Sequence, residues 1–221
     1  MQSSRIYSSD EVVEETDIEG LYWISNYAIK TTRLSRIVLP SPGQGVFTIV
    51  THAADFSEQE HGGYEFYGIH IGQVDVLTFL ALDDRVMQGD FVDCRRGSKT
   101  FHKRVKFAFT GDPDKALVID RGIAHIFDNL KGMVTLNQPR VYFDRNNPYY
   151  SSDFDVVNVR RSSPLDEFPS VIVNRFPLPY WLCRSALKKQ RAKIRAAGSR
   201  NHPFIFHKGS EKLILTPVEK K

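Results

Sequence analysis

Between residues 21 and 136 the chain runs as a series of short β-forming segments, each stopped by turn chemistry, and this spacing constrains the fold more than any single residue does. Segments 21–24, 36–39, 46–50, 64–71, 74–82, 89–94, 105–109, 116–119, 123–127 and 133–136 are rich in Val, Ile, Leu, Phe, Tyr and Trp. Between them stand Pro40-Ser41-Pro42-Gly43, Gly62-Gly63, Asp83-Asp84, Arg96-Gly97-Ser98 and Gly111-Asp112-Pro113-Asp114, residues that set or tolerate the backbone angles of tight turns. Short strands repeated about every eight to twelve residues predict an all-β sandwich or barrel.

Beyond Phe143 the pattern loosens. Asn146-Asn147-Pro148 reads as a loop, and prolines at 164, 169, 177 and 179 break regular structure. Residues 182–197 are dominated by Ala, Leu, Lys, Arg and Gln, which predicts a helix stopped at Gly198, and 212–217 can form a last strand. We therefore expect an N-terminal arm over 1–20, a barrel over 21–168 and a basic extension with one helix over 169–221. Charge follows the same division. Residues 181–221 hold eleven Lys/Arg against two Asp/Glu, whereas 1–180 hold nineteen against twenty-four. The body has no basic surplus to track a phosphate backbone, so nucleic acid is not an expected partner. No apolar run approaches the roughly 20 residues of a membrane span, and the polar first ten residues do not read as a secretion signal, so the expected location is the cytoplasm. Cys94 and Cys183 lack metal-ligand or disulfide-framework spacing and read as reduced, structural thiols.

The stretch 117–130, LVIDRGIAHIFDNL, carries the chemistry. Gly122 permits the bend between two apolar runs, and the strand's two-residue period puts His125 on one face with Ile123 and Phe127. A single histidine in such a strand most simply reads as a core residue. However, 66–71, FYGIHI, repeats the construction with His70, so two imidazoles can face one cavity. A neutral imidazole titrates near pH 7 and can take a proton from carbon acidified by a neighbouring carbonyl.

Four local motifs resemble the dTDP-4-keto-6-deoxyhexose 3,5-epimerases, the RmlC-like cupins. Tyr67-Gly68-Ile69-His70-Ile71 is similar to their Arg-Gly-Leu-His-Tyr. Asp93-Cys94-Arg95-Arg96-Gly97-Ser98-Lys99-Thr100-Phe101 resembles their Asp-Leu-Arg-x-Gly-Ser-Pro-Thr-Phe, and Gly122 to Phe127 their Gly-Phe-Ala-His-Gly-Phe. Gly45-Val46-Phe47 resembles Arg-Gly-Phe-Phe, and the order agrees over about half the chain. The resemblance implies an antiparallel double-stranded β-helix, a homodimer, no metal and no cofactor. It also implies proton abstraction beside a ketone, with His70 at the base position, His125 as its pocket neighbour and a tyrosine returning a proton from the opposite face.

Several positions depart from the family. Gln44 and Tyr67 stand where arginines grip the diphosphate, Ile49 replaces a pocket glutamate, and Thr78 or a neighbour replaces a lysine. Leu136-Asn137-Gln138-Pro139 occupies the place of the acid tyrosine, leaving Tyr142 as the local candidate acid, with Asn137 and Gln138 as hydrogen-bond donors to substrate. No clear counterpart of the carboxylate that orients the base is found. Two readings stay open: an epimerase or isomerase of a keto substrate, of which a nucleotide-linked 4-keto-6-deoxyhexose is the family example, and a barrel that has lost catalysis and serves as a binding or assembly partner. A metal-dependent cupin is disfavoured, because His70 stands alone where such proteins carry a His-x-His pair.

Overall fold

The computed structural model describes residues 7, 11–32, 35–39, 47–52, 64–81, 83–144, 146–147, 156–178, 204–208 and 211–215. Gln44 and the expected helix over 182–197 lie outside the described residues.

Two antiparallel sheets carry the fold. The larger contains β1 (Val12–Glu15), β2 (Leu21–Ser25), β10 (Lys115–Ile119), β7 (Gln73–Leu80), β12 (Val134–Asn137) and β5 (Thr48–Thr51) in that order. β13 (Arg140–Phe143) continues along β7 beyond β12 and carries β15 (Phe176–Pro177) on its other side. The second sheet runs β14 (Val156–Arg160), β6 (Phe66–His70), β11 (Ile123–Asp128), β8 (Val86–Asp93) and β9 (Arg104–Thr110). Two hairpins stand apart from both sheets, β3 (Tyr27–Thr31) with β4 (Arg36–Leu39), and β16 (Phe204–Lys208) with β17 (Glu211–Leu215). The two antiparallel sheets pack face to face as the walls of a barrel.

The expected β-segments from 21 to 136 correspond to strands, whereas β1, β3, β13, β14, β15 and β16 have no counterpart among the expected segments. β14, VVNVR, pairs with all five residues of β6, and its pairing partner rather than its own sequence defines it as a strand. The sheets also take in β1 and β15, which lie outside 21–168.

Three apolar clusters result, because both faces of the central strands are covered. Between the sheets pack Trp23, Leu77, Phe79, Met87, Phe91, Leu117 and Phe127 with their neighbours. The outer face of the smaller sheet buries Tyr67, Ile69 and Ile71 under Phe168 and Val171. The outer face of the larger one buries Val74, Val76 and Val118 with Tyr7, Tyr22 and Ile24. Burial of each such side chain contributes about 1.5–3 kcal/mol.

The turn after β8 is a saturated polar knot. Asp93 accepts hydrogen bonds from Arg95 Nε at 2.9 Å and Nη2 at 2.8 Å, from the Arg95 amide at 3.0 Å, and from the hydroxyls of Ser98 and Thr100 at 2.6 Å each. Burial opposes ionisation of Asp93, but the hydrogen bonds and charge of Arg95 with the two hydroxyls outweigh it, so the carboxyl stays below its ordinary range. Gly122 closes over this knot with φ +76°, and a Cβ there would lie 2.5 Å from Arg95 Cγ. Its amide donates to the carbonyl of His70 at 2.7 Å. The knot thereby anchors the end of the strand that carries the candidate base.

Candidate active site

Strand parity decides which side chains reach the space between the sheets. On β6, Phe66, Gly68 and His70 point inward while Tyr67 and Ile69 pack outside. On β7, Asp75, Leu77 and Phe79 point inward while Val74 and Val76 pack outside. His125 on β11 and Thr135 and Asn137 on β12 add to the polar lining of a cavity of about 450 Å³, floored by Phe79, Phe127 and Leu130.

Three side chains from three strands converge there. Asp75 Oδ2 lies 3.4 Å from His70 Nε2 and 3.5 Å from His125 Nε2, and the two imidazoles stack with centroids 5.6 Å apart. Asp75 Oδ1 is held separately, accepting from Gln73 Nε2 at 2.6 Å and Asn137 Nδ2 at 2.7 Å. Asn137 is itself fixed by accepting the Val76 amide at 3.1 Å. The carboxylate is therefore clamped by one oxygen and presents the other to both rings. His125 Nδ1 lies 3.2 Å from the carbonyl of Ile123, which can only accept, so the proton sits on Nδ1 and Nε2 carries a lone pair. Burial lowers the pKa of His125, with the neighbouring His70 acting in the same direction against Asp75, so the ring is held neutral. His70 Nδ1 is buried without a hydrogen-bond partner among the described residues, and Nε2 faces Asp75 Oδ2.

A second polar chain lines the same cavity. His52, just after β5, sits between the Tyr64 hydroxyl, 3.0 Å from Nδ1, and Thr135 Oγ1, 2.9 Å from Nε2. Burial lowers the pKa of His52 and raises that of Tyr64, so both are held neutral.

Of the residues singled out from sequence, the structure brings His70, His125 and Asn137 into this cavity. It puts Tyr67, Thr78, Gln138 and Tyr142 elsewhere. The Tyr67 hydroxyl donates to Asp90 at 2.6 Å, and Thr78 Oγ1 accepts from Asn26 at 3.0 Å on the outer face. The Tyr142 ring lies under the guanidinium of Arg121, 3.7 Å from its centroid, and borders the outer cluster. The amide of Gln138 donates to the carbonyl of Val76 at 3.0 Å, where β7 changes partner from β12 to β13.

Asp75, His52 and Tyr64 were missed. For Asp75 a signal existed, since a carboxylate within VDVLTF occupies an apolar strand, and two-residue parity sets it with Leu77 and Phe79. His52 and Tyr64 flank a polar segment, and only folding brings them to one wall. No lysine or arginine lines the cavity among the described residues.

Comparison with known proteins returns likeness of fold only. No protein-family model matches the chain, and no curated protein sequence does. Among solved structures, dTDP-4-dehydrorhamnose 3,5-epimerase from Bacillus anthracis is 16% identical, with a TM-score of 0.49 over 75% of this chain and 92% of its own. The RmlC epimerase of Mycobacterium tuberculosis is 13% identical, with a TM-score of 0.48 over 80% and 96%. The 3,4-ketoisomerase QdtA from Thermoanaerobacterium thermosaccharolyticum, crystallised with TDP-4-keto-6-deoxyglucose, is 14% identical, with a TM-score of 0.43 over 63% and 88%.

Proposed function

We propose that this chain is an isomerase of keto sugars or related carbonyl compounds that works by proton abstraction beside the carbonyl. The observation that carries the proposal is the convergence of His70 and His125 on one oxygen of Asp75 inside the cavity. A proton taken from carbon onto His70 Nε2 creates an imidazolium 3.4 Å from a carboxylate whose charge stabilises it. The Asp75 partner supplies the orienting role for which the sequence had no candidate. His125, neutral with its proton on Nδ1, adds no positive charge to oppose that step.

The acid of the reading is Tyr64. A neutral phenol hydrogen-bonded to His52 can donate to a developing enolate and be reprotonated through the ring. Tyr142, the acid expected from sequence, is occupied by Arg121. The uncharged lining apart from Asp75 and Glu65 favours the keto end of a substrate over its diphosphate, and agrees with Gln44 and Tyr67 in place of arginines.

A homodimer belongs to the same reading. Edge strand β5 exposes every residue, with Ile49 at 61% accessible and Phe47, just before the strand, at 62%, an apolar edge of the kind that pairs with a second copy. Light scattering tests this point, and a mass near the chain's own 25.3 kDa removes it.

The test of the chemistry is hydrogen exchange. Chelator-treated protein incubated in deuterium oxide with 4-keto-6-deoxyhexoses, free and nucleotide-linked, is expected to introduce deuterium at one carbon next to the ketone. If folded protein exchanges none of them, the non-catalytic binding role replaces this reading.

A further inference from the structure

Strand β12 turns two polar side chains into the cavity, Thr135 and Asn137, and each holds a different part of the wall. Asn137 clamps Asp75 on the side of His70. Thr135 serves the other side. It lies opposite Val50 in the β5–β12 ladder, so His52, two residues further on, is its diagonal neighbour across the strands. The His52 amide donates to the carbonyl of Met133 at 2.9 Å, which extends the ladder and fixes where the ring stands. From there Nε2 meets Thr135 Oγ1 at 2.9 Å and Nδ1 meets the Tyr64 hydroxyl at 3.0 Å.

Counting protons gives this chain a direction. A neutral imidazole has one N–H, so one ring nitrogen donates and the other accepts. Thr135 is 4% exposed, and among the described residues its hydroxyl has no hydrogen-bond partner besides His52. If Oγ1 accepted the ring N–H, the hydroxyl's own proton would be buried without an acceptor, which is costly. The hydroxyl therefore donates to Nε2, the ring proton sits on Nδ1, and Nδ1–H donates to the Tyr64 oxygen. The phenolic proton is then not spent on His52.

We propose that Thr135 is a positioning residue that sets the tautomer of His52 and, through it, makes Tyr64 a donor toward the cavity rather than toward the ring. The chemical consequence rests on the isomerase reading, in which Tyr64 is the acid; the tautomer does not. In that reaction the phenolic O–H breaks and a C–H bond forms on the enolate carbon. The phenolate left behind accepts the Nδ1–H hydrogen bond until a proton equal to the one His70 releases restores it. β12 thus sets both halves of the site from inward positions two residues apart: Asn137 orients the carboxylate beside the base, and Thr135 orients the acid.

The test separates the tautomer from the chemistry. Full-length protein with isotope-labelled histidine ring nitrogens is studied by long-range proton–nitrogen NMR, in which Nδ1–H and Nε2–H rings give different patterns. The signal lost in His52→Gln identifies the ring. An Nδ1–H ring is expected in the wild type and in Thr135→Ser, and an Nε2–H ring in Thr135→Val, where Tyr64 donates to Nδ1 instead. Circular dichroism checks the fold of each variant, and the wild-type pattern decides the tautomer even if Thr135→Val unfolds. An Nε2–H ring in the wild type overturns the proposal, as does an Nδ1–H ring retained in folded Thr135→Val. In the deuterium assay the ratio of inversion to exchange is expected to fall at least about 10-fold in Thr135→Val and to return to within about threefold in Thr135→Ser. An unchanged ratio in folded Thr135→Val also overturns it. Absence of exchange by a wild-type protein whose His52 is the Nδ1–H tautomer removes the isomerase reading and leaves the tautomer assignment standing.

Discussion

Two inward carboxylates sit at opposite extremes of satisfaction. Asp93 spends both oxygens on five donors from Arg95, Ser98 and Thr100. Asp75 commits one oxygen to two amide groups and leaves the other facing two imidazole nitrogens at a distance too long for a good hydrogen bond. Both are nearly inaccessible to solvent, so burial does not separate them. What separates them is the unspent acceptor. A fully paired buried charge holds a turn in one geometry, whereas a half-paired one beside titratable rings retains an interaction to offer a proton, an ion or a substrate.

The strongest way to break this comparison is to remove each carboxylate and measure stability. Asp93→Ala removes the main carboxylate partner of the buried Arg95 guanidinium, leaving it Asp120 at 3.4 Å, and is expected to cost about 3 kcal/mol in urea unfolding. Asp75→Asn keeps the amide contacts in reduced form and is expected to cost about 1 kcal/mol. Equal losses would show that both sites are structural. The next largest effect concerns activity. His70→Asn is expected to reduce deuterium exchange at least about 10²-fold with the fold intact, and Asp75→Asn to follow it in direction. Tyr64→Phe is expected to keep exchange within about threefold while suppressing inversion, because abstraction needs the base and inversion also needs the acid.

Acid unfolding sharpens the contrast further. The Asp93 carboxyl is held below its unfolded value near 3.9, so the stability it contributes is complete above about pH 4 and is lost as the pH falls through the folded value. Asp93→Asn is expected to flatten the stability curve in that window, as urea midpoints measured from pH 5 to pH 2 would show. The smallest expected effect belongs to His52. Burial lowers its pKa, so the unfolded chain takes up its proton first and stability declines as the pH falls below about 6.5. His52→Gln is expected to remove that slope between pH 7 and pH 5, and an unchanged slope would place its origin elsewhere.

Local sequence carried the strand inventory well where β-branched runs met turn residues, as in VLTF before Asp83-Asp84 and LVI before Asp-Arg-Gly. It also carried the pairing of His70 with His125, because two strands repeat one construction and each side chain's face follows from a period of two. The same period, applied from His70, sets Tyr67 on the opposite face, three residues away. Reading that position as a family arginine without its parity led toward a residue whose hydroxyl is held by Asp90. Thr78 differs from Asp75 by three residues and fails for the same reason.

By itself the sequence determined a run of short β-strands over 21–136, the shared face of His125 with Ile123 and Phe127, and the presence of two histidines available to one cavity. These follow from propensity, turn chemistry and alternation, which act over a few residues. Tertiary structure alone decided that Asp75 stands between the two rings, that Asn137 clamps it, and that His52 and Tyr64 meet across a polar segment. Those relations depend on which strands become neighbours and in what register. Register is settled by burying three apolar clusters at once, and no short stretch of this chain encodes that sum.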